Sequence, residues 1–395
     1  MRIGIEAQRL YRADKHGMDV VALETIRRLV RLAPQHTFVV FVRPGTAPCL
    51  PDADNLEVRR VPGWSYPSWE QWALPRAVSE AGVDLLHATA NTAPLRIDVP
   101  LLVTLHDVIF LEGAAPWRRG GTWYQRLGNT YRRWVVPPAI RQARAVATVS
   151  HHEKDRITDH FPEMSSRVFV ASNGVDPRFA PVDDHRERER IVLKKVGLPR
   201  SYFFFLGNTD PKKNLDGVLH AYARYADAHD RTLPLVIADF HPTRLRAALQ
   251  TIGRPDLQQH IRLPGYIDHA DLPAVYSAAS AFLYPSRRES FGLPILEAMA
   301  CGTPVITSDA AAMPETAGEA ALLVDPDRPS DLASAMRRVV ADTRLRRRLR
   351  DRGLRRAGTF SWERTARRLL RAYEEMGATA GRSSPRPVHA LAGCS

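Results

Sequence analysis

Short apolar runs alternate with amphipathic stretches along both halves of the 395-residue chain, and this alternation constrains the fold more than any other feature. In the first half, Ile3–Ala7, Phe38–Val42, Leu56–Val61, Asp84–His87, Leu101–Leu105, Ala145–Val149 and Val168–Val170 read as strands. Helical spacing fills the gaps at Val20–Leu32, Trp69–Ala81, Tyr124–Arg141 and His151–His160. The second half repeats the scheme with strands at Tyr202–Leu206, Leu233–Ala238, Ile261–Leu263, Ala281–Tyr284, Val305–Thr307 and Ala321–Val324. Its helices begin near Leu215, Thr243, Leu272, Leu293 and Ser330. Near-continuous apolar strands separated by helices imply parallel sheets covered on both faces. Single cores stop growing at roughly 250–300 residues, so two domains are expected. The proline-bearing, charged stretch Pro177–Arg200 marks the join. The fold class is therefore α/β: two Rossmann-like doubly wound domains, residues 1–178 and 179–376, facing across a cleft. A last helix around Trp362–Met376 is expected to pack back on the first domain, and 377–395 to be a flexible tail.

The formal charge of +13 points to anionic partners: nucleotide phosphates, lipid headgroups or nucleic acid. Its densest run, Arg344–Arg350, has leucines at 345 and 349, a basic amphipathic helix without interleaved aromatics. A solvated face or an anionic bilayer suits it better than a nucleic acid. Three scattered cysteines (Cys49, Cys301, Cys394) argue against a disulfide framework or a zinc cluster and fit a reducing cytoplasm. The chain opens on a strand, not a leader, and no run approaches the ~18 apolar residues of a membrane span, so a soluble or peripheral protein is expected. The aromatic segment Trp64–Trp72 reads either as acceptor-side or membrane-facing surface, or as packing against the sheet.

Function is concentrated in Arg288-Glu-Ser-Phe-Gly-Leu-Pro-Ile-Leu-Glu297 and the residues running on to Val305. A buried strand precedes it, and Pro294 and Gly302 bracket a short apolar helix. A strand, a small-residue loop and a helix start make an anion site, because unpaired N–H groups and the positive dipole end point outward. Carboxylates at Glu289 and Glu297 suit sugar hydroxyls, so the stretch reads as a site for a phosphate attached to a sugar.

Further segments converge with it: Phe205-Leu-Gly-Asn-Thr-Asp-Pro-Lys-Lys-Asn-Leu215, Leu263-Pro-Gly-Tyr-Ile-Asp268, Asp271–Tyr276, Gly302-Thr-Pro-Val-Ile306 and Glu315. Weaker landmarks are Thr104-Leu-His-Asp107, Ala147–Ser150 and Ser172–Asp176. Together they resemble the retaining GT-B glycosyltransferases of family four, the group that includes sucrose synthases and bacterial mannosyltransferases. The likeness covers nearly the whole chain and is strongest from Gly265 to Val324; the two glutamates eight positions apart are its most specific element.

The resemblance implies transfer of a sugar from a nucleotide-diphosphate donor to a hydroxyl acceptor, with no cofactor and no divalent metal. It places Glu289 beside the donor sugar and its phosphates, Glu297 on the ribose, and the backbone of Ser290, Phe291, Gly292 and Leu293 on the diphosphate. Lys213 matches the family's diphosphate lysine, and His106 a histidine by the donor sugar. Gly17 falls in the glycine loop that approaches diphosphate and acceptor, where Asp19 reads equally as a helix cap. Tyr266 lies in the segment that lines the nucleobase; a half-buried core tyrosine is the alternative. Many members carry an arginine where this chain has Asn208, which leaves Lys212 and Arg287 as candidates for the second cation or as surface charges. Expected partners are the nucleotide sugar, a sugar, glycan or lipid-linked acceptor, and an anionic membrane at the cytoplasmic side. A GT-B nucleotide-sugar epimerase and a basic nucleic-acid-binding protein are the rival readings.

Overall fold

The computed structural model describes residues 1–13, 17–112, 123–207, 210–228 and 232–380. The first sheet comprises β1 (Arg2–Glu6), β2 (Thr37–Val42), β3 (Leu56–Arg60), β4 (Leu85–Ala88), β5 (Leu101–Thr104), β6 (Ala145–Thr148) and β7 (Val168–Val170). They lie in the order β3-β2-β1-β4-β5-β6-β7. The second comprises β8 (Phe203–Leu206), β9 (Leu235–Ala238), β10 (Ile261–Arg262), β11 (Ala281–Tyr284), β12 (Val305–Ser308) and β13 (Ala321–Val324), ordered β10-β9-β8-β11-β12-β13. Every pairing is parallel, with Ile3 opposite both Phe38 and Leu85, and Phe282 opposite both Phe204 and Val305. The expected strands are all present with small shifts at their ends. Each sheet reverses its winding once, at β1/β4 and at β8/β11, and such switch points open a crevice at the carboxyl ends of the strands.

Two stretches depart from the expected pattern. The Trp69–Ala81 helix begins earlier, at Tyr66, and contains a π-helical segment, Trp69–Ala73. Trp69 points inward, where its indole donates to the Val61 carbonyl at 2.8 Å, while Trp64 and Trp72 lie on the surface. Packing against the sheet thus holds for Trp69 alone. The final helix, Trp362–Ala380, continues past Met376 instead of fraying. At Gly377 it lies against the start of the chain, where a Cβ would stand 2.4 Å from Met1 Sδ. The rest of the expected tail, 381–395, lies outside the described residues.

That final helix completes the first domain, not the second. Leu369, Leu370, Tyr373 and Met376 share one buried cluster with Ile3, Ile26, Phe38 and Leu85. The Tyr373 hydroxyl meets His87 Nδ1 at 2.7 Å, and His87 Nε2 meets Thr104 Oγ1 at 2.7 Å. Burial pulls His87 down to about 3, so it is a neutral imidazole linking helix to sheet. The arginine-rich helix, Thr343–Ala357, buries Leu345 and Leu349 as its spacing requires. Several of its arginines serve the protein itself: Arg346 donates to the carbonyls of Val339 and Val340, and Arg356 to that of Thr316.

The chain recrosses between domains beside Gly174, where a Cβ would lie 2.1 Å from the Trp362 backbone nitrogen. Main chain cannot yield as a side-chain tip can. Gly174→Ala is therefore expected to destabilise the protein by about 2 kcal/mol or more, read as a lower midpoint in urea unfolding.

Candidate active site

The second-domain switch point is built from the loops after β8 and β11. Gly207 ends β8 where a Cβ would stand 2.4 Å from the Ala238 carbonyl oxygen. A 3-10 turn, Pro211–Lys213, follows, capped by the Asp210 side chain. It delivers Lys213 to the loop after β11. There Lys213 Nζ stands 2.8 Å from Glu289 Oε1, donates to the Tyr284 hydroxyl at 2.8 Å and lies 4.8 Å from that ring's centre. Burial pulls the lysine pKa down, but Tyr284 and Glu289 outweigh it and hold it above the ordinary value, so the ammonium persists. Burial also raises the Tyr284 hydroxyl, which stays a phenol.

Asn214 ties the two loops together. It sits in the left-handed region at φ 63°, which asparagine tolerates, and its amide donates to the Pro285 carbonyl at 3.1 Å and the Pro326 carbonyl at 2.7 Å. Gly292 opens the Leu293–Ala300 helix at φ 88°, a conformation that favours glycine. No side chain caps this helix, Pro294 has no N–H, and the Ile295 amide already donates to the Gly292 carbonyl at 2.9 Å, so the amide its first turn can offer a ligand is that of Leu293. Phe291 is buried against Phe360, with ring centroids 5.6 Å apart, so its contribution to the cleft is backbone.

On the far side of that helix, half-buried Glu297 accepts from the Tyr276 hydroxyl at 3.4 Å. Burial, and the nearby Asp176 charge, push it up to about 7 against a weaker pull from Tyr276. Tyr266 follows Gly265 and is 76% exposed, so the half-buried core alternative does not hold. Lys212 is paired with Asp210 at 3.7 Å, and Arg287 with Asp327 at 2.8 Å. Asp325, two positions before Asp327, pairs in turn with Arg328 at 3.2 Å. Asn208 lies outside the described residues.

Across the cleft, Gly17 starts a helix with open space where its Cβ would be, and Asp19 lies 3.5 Å from Arg9. His106 follows β5, buried, with its Nε2 at 2.9 Å from the Thr89 carbonyl. A carbonyl only accepts, so Nε2 carries the proton and Nδ1 is left as an acceptor. Burial lowers the His106 pKa, which makes it a neutral ring.

The profile of the family 4 glycosyltransferases matches residues 16–179, and that of the glycosyl transferases group 1 matches residues 188–356. The chain belongs to the family-4 group 1 glycosyltransferases. It is 32% identical over 238 residues to O-antigen chain mannosyltransferase B of Escherichia coli, a match covering 60% of this chain and 62% of that one. Matches to other E. coli mannosyltransferases span under a third of their lengths. It is 29% identical over 432 residues to the D-inositol 3-phosphate glycosyltransferase of Geodermatophilus obscurus, covering 96% and 91% of the two. In structure it is similar to sucrose-phosphate synthase from Thermosynechococcus elongatus (TM-score 0.74, 21% identity, 96% and 99% coverage) and to Anabaena HepE crystallised with UDP (0.70, 17%, 95% and 100%). The two-sheet architecture is the GT-B fold.

In this family member the two halves of the site are joined by a clasp that sequence reasoning missed. Arg288, 7% exposed, pairs with Glu153 and, at 3.1 Å, with Glu112 of the first domain. Ser150 Oγ donates to the Ser290 carbonyl at 2.7 Å. Glu315 of the second domain accepts from the amides of His151 and His152 at 2.8 and 3.0 Å, capping a first-domain helix from outside. Glu315 and Ser150 stood among the family landmarks without a role; nothing local to Arg288 or Glu153 signals their partnership.

Glu297 yields a pH test. Burial pushes its pKa up to about 7 in the folded protein from the ordinary 4.5, so between those values the unfolded chain has lost a proton the native state retains. The residue's cost to stability therefore grows as pH rises through that window and is complete above it. Relative to wild type, Glu297→Gln without ligand is expected to gain in melting temperature as pH rises from about 4.5 to about 7. A pH-independent difference contradicts this.

Proposed function

We propose that this protein is a retaining hexosyltransferase. It moves mannose, glucose or a similar sugar from a nucleoside-diphosphate donor to a hydroxyl of a glycan or lipid-linked acceptor in polysaccharide or glycolipid synthesis. The observation that carries the reading is Lys213 held 2.8 Å from Glu289, beside the open helix start at Gly292. The mannosyltransferase and inositol-phosphate relatives and the UDP-bound neighbour support it.

Cleavage of the bond between the anomeric carbon and the diphosphate oxygen leaves negative charge on the diphosphate and positive charge on the sugar. Lys213 and the amides from Ser290 to Leu293 stabilise the first, with Gly17 giving close approach from the opposite domain. Glu289 holds the sugar end, His106 Nδ1 accepts from a donor hydroxyl, Glu297 takes the ribose, and Tyr266 flanks the base. Asn208 and Lys212 complete the diphosphate loop. The acceptor hydroxyl attacks from the face the diphosphate leaves: its oxygen bonds to the anomeric carbon and its proton passes to the departing phosphate oxygen. This scheme requires neither cofactor nor divalent metal, and turnover is expected to survive EDTA.

Lys213→Ala and Glu289→Gln are each expected to lower kcat roughly a hundredfold with unchanged circular dichroism; near-normal rates would sink the assignment. A melting-temperature screen with GDP, UDP, ADP and dTDP selects the donor base. NMR of the product then reads the anomeric configuration. An epimerised donor formed without acceptor would favour the epimerase, and tight binding of random oligonucleotides at moderate salt the nucleic-acid reading.

For localisation we propose the cytoplasmic face of an anionic membrane. Among the described residues no helix is long and apolar enough to cross a membrane. Trp64, Trp72 and Trp134 are 100%, 72% and 77% exposed on the first domain, where exposed Arg60, Arg76 and Arg96 also lie. Exposed indoles with arginines suit a headgroup layer. The protein is expected to float with vesicles rich in phosphatidylglycerol, and Trp64→Ala/Trp72→Ala to reduce that binding roughly tenfold; equal binding to neutral vesicles, or none, rejects it.

A further inference from the structure

The loop from Glu289 to Gly292 presents its backbone in an order that local sequence does not enforce. Three consecutive carbonyls are taken. The Glu289 carbonyl accepts from the Arg288 guanidinium at 3.2 Å, that of Ser290 from the Ser150 hydroxyl at 2.7 Å, and that of Phe291 from the Thr316 hydroxyl. In a planar trans peptide the N–H points opposite to the C=O. Each anchored carbonyl therefore fixes the direction of the N–H in its own peptide, that of Ser290, Phe291 and Gly292 in turn. Amides fixed in direction are what a diphosphate needs, and these stand next to the start of the Leu293–Ala300 helix.

Two of the three anchors come through the first domain. Ser150 caps the His151–His160 helix there. Arg288 sits in the second domain, but its guanidinium is fixed by Glu153, which is fully buried, and by Glu112. Glu112 is held in turn by Arg156 at 3.2 Å. Glu315 reinforces the seam by accepting from the His151 and His152 amides, and Arg356 grips the Glu315 and Thr316 carbonyls from behind. Thr316, the third anchor, belongs to that same reinforced turn. A loop whose amide direction depends on the opposite domain is ordered only while the domains are together.

We infer that Arg288 and Ser150 are positioning residues that couple domain closure to assembly of the anion cradle, so that the diphosphate site is complete only in the closed molecule. The inference rests on reading the loop as the diphosphate site. Neither residue touches the reacting atoms. Arginine is the side chain for the task because its planar fork reaches two carboxylates and a carbonyl at once, which a lysine ammonium does less well.

The test compares ligands that differ only in phosphate. Binding of UDP and uridine, or GDP and guanosine if the melting screen selects guanine, is measured by calorimetry on the full chain and on Arg288→Met. The radius of gyration in solution is measured alongside. The variant is expected to lose roughly tenfold in nucleoside-diphosphate affinity, as for a charged hydrogen-bond partner. Nucleoside affinity should stay within about twofold and the molecule should expand. Equal losses for both ligands indicate a merely structural role and overturn the inference, as does diphosphate binding at wild-type strength. If Arg288→Met does not fold, Arg288→Lys and Ser150→Ala carry the test, each with a smaller but still phosphate-selective loss. Failure of the wild type to bind any nucleoside diphosphate would instead reject the site itself. A site that binds normally in every variant rejects only the coupling.

Discussion

An ammonium and a carboxylate held in contact, mostly out of water, are the interaction around which the second domain's loops are arranged. Lys213 and Glu289 are 18% and 13% exposed, so neither is well solvated, and each makes the other tenable as an ion. Their 2.8 Å approach needs the loop after β8 to meet the loop after β11, which the parallel order of those two neighbouring strands arranges. Asn214 then pins the first loop to the second through the Pro285 carbonyl, and to the loop after β13 through that of Pro326. A ligand phosphate entering here would meet a lysine already charged and placed, which lowers the reorganisation needed at the moment of bond cleavage.

The sheets were legible because parallel strands buried on both faces are written as nearly continuous apolar runs, such as Phe203–Leu206 and Ala281–Tyr284. Lys213, Glu289 and Glu297 could be singled out because each sits in a short, distinctive local pattern. The clasp could not. Arg288 and Glu153 are 135 positions apart, Ser150 and Ser290 are 140, and a charge or hydroxyl facing solvent looks the same in sequence as one facing another domain. The π segment at Trp69–Ala73 was equally silent, since its two tryptophans, Trp69 and Trp72, differ in burial through geometry, not composition. Tyr266 resisted for the converse reason: a tyrosine after a glycine fits a core or a rim, and here it lies on the rim.

The charge of the chain also divides by location. The +13 total suggests a uniformly basic surface, yet Arg288, Arg346 and Arg356 are spent on internal carboxylates or carbonyls. Arginine suits such places because it keeps its charge when buried and offers several donors in one plane. Net charge is therefore a weak guide to partners in a protein that uses guanidinium groups as brackets.

The return of the Trp362–Ala380 helix to the first domain has a consequence for how the protein is made. His87 and Tyr373, in contact through a buried hydrogen bond, are 286 positions apart. The first-domain sheet thus waits for the Trp362–Ala380 helix, made after the whole second domain, to complete the cover that the Gly17–Leu32 helix begins on that face. Ile3, Phe38 and Leu85 remain without their final neighbours while the whole second domain is synthesised and has time to fold. Vectorial synthesis here favours the later-made half as the first finished unit, and a nascent first domain long exposed to chaperones.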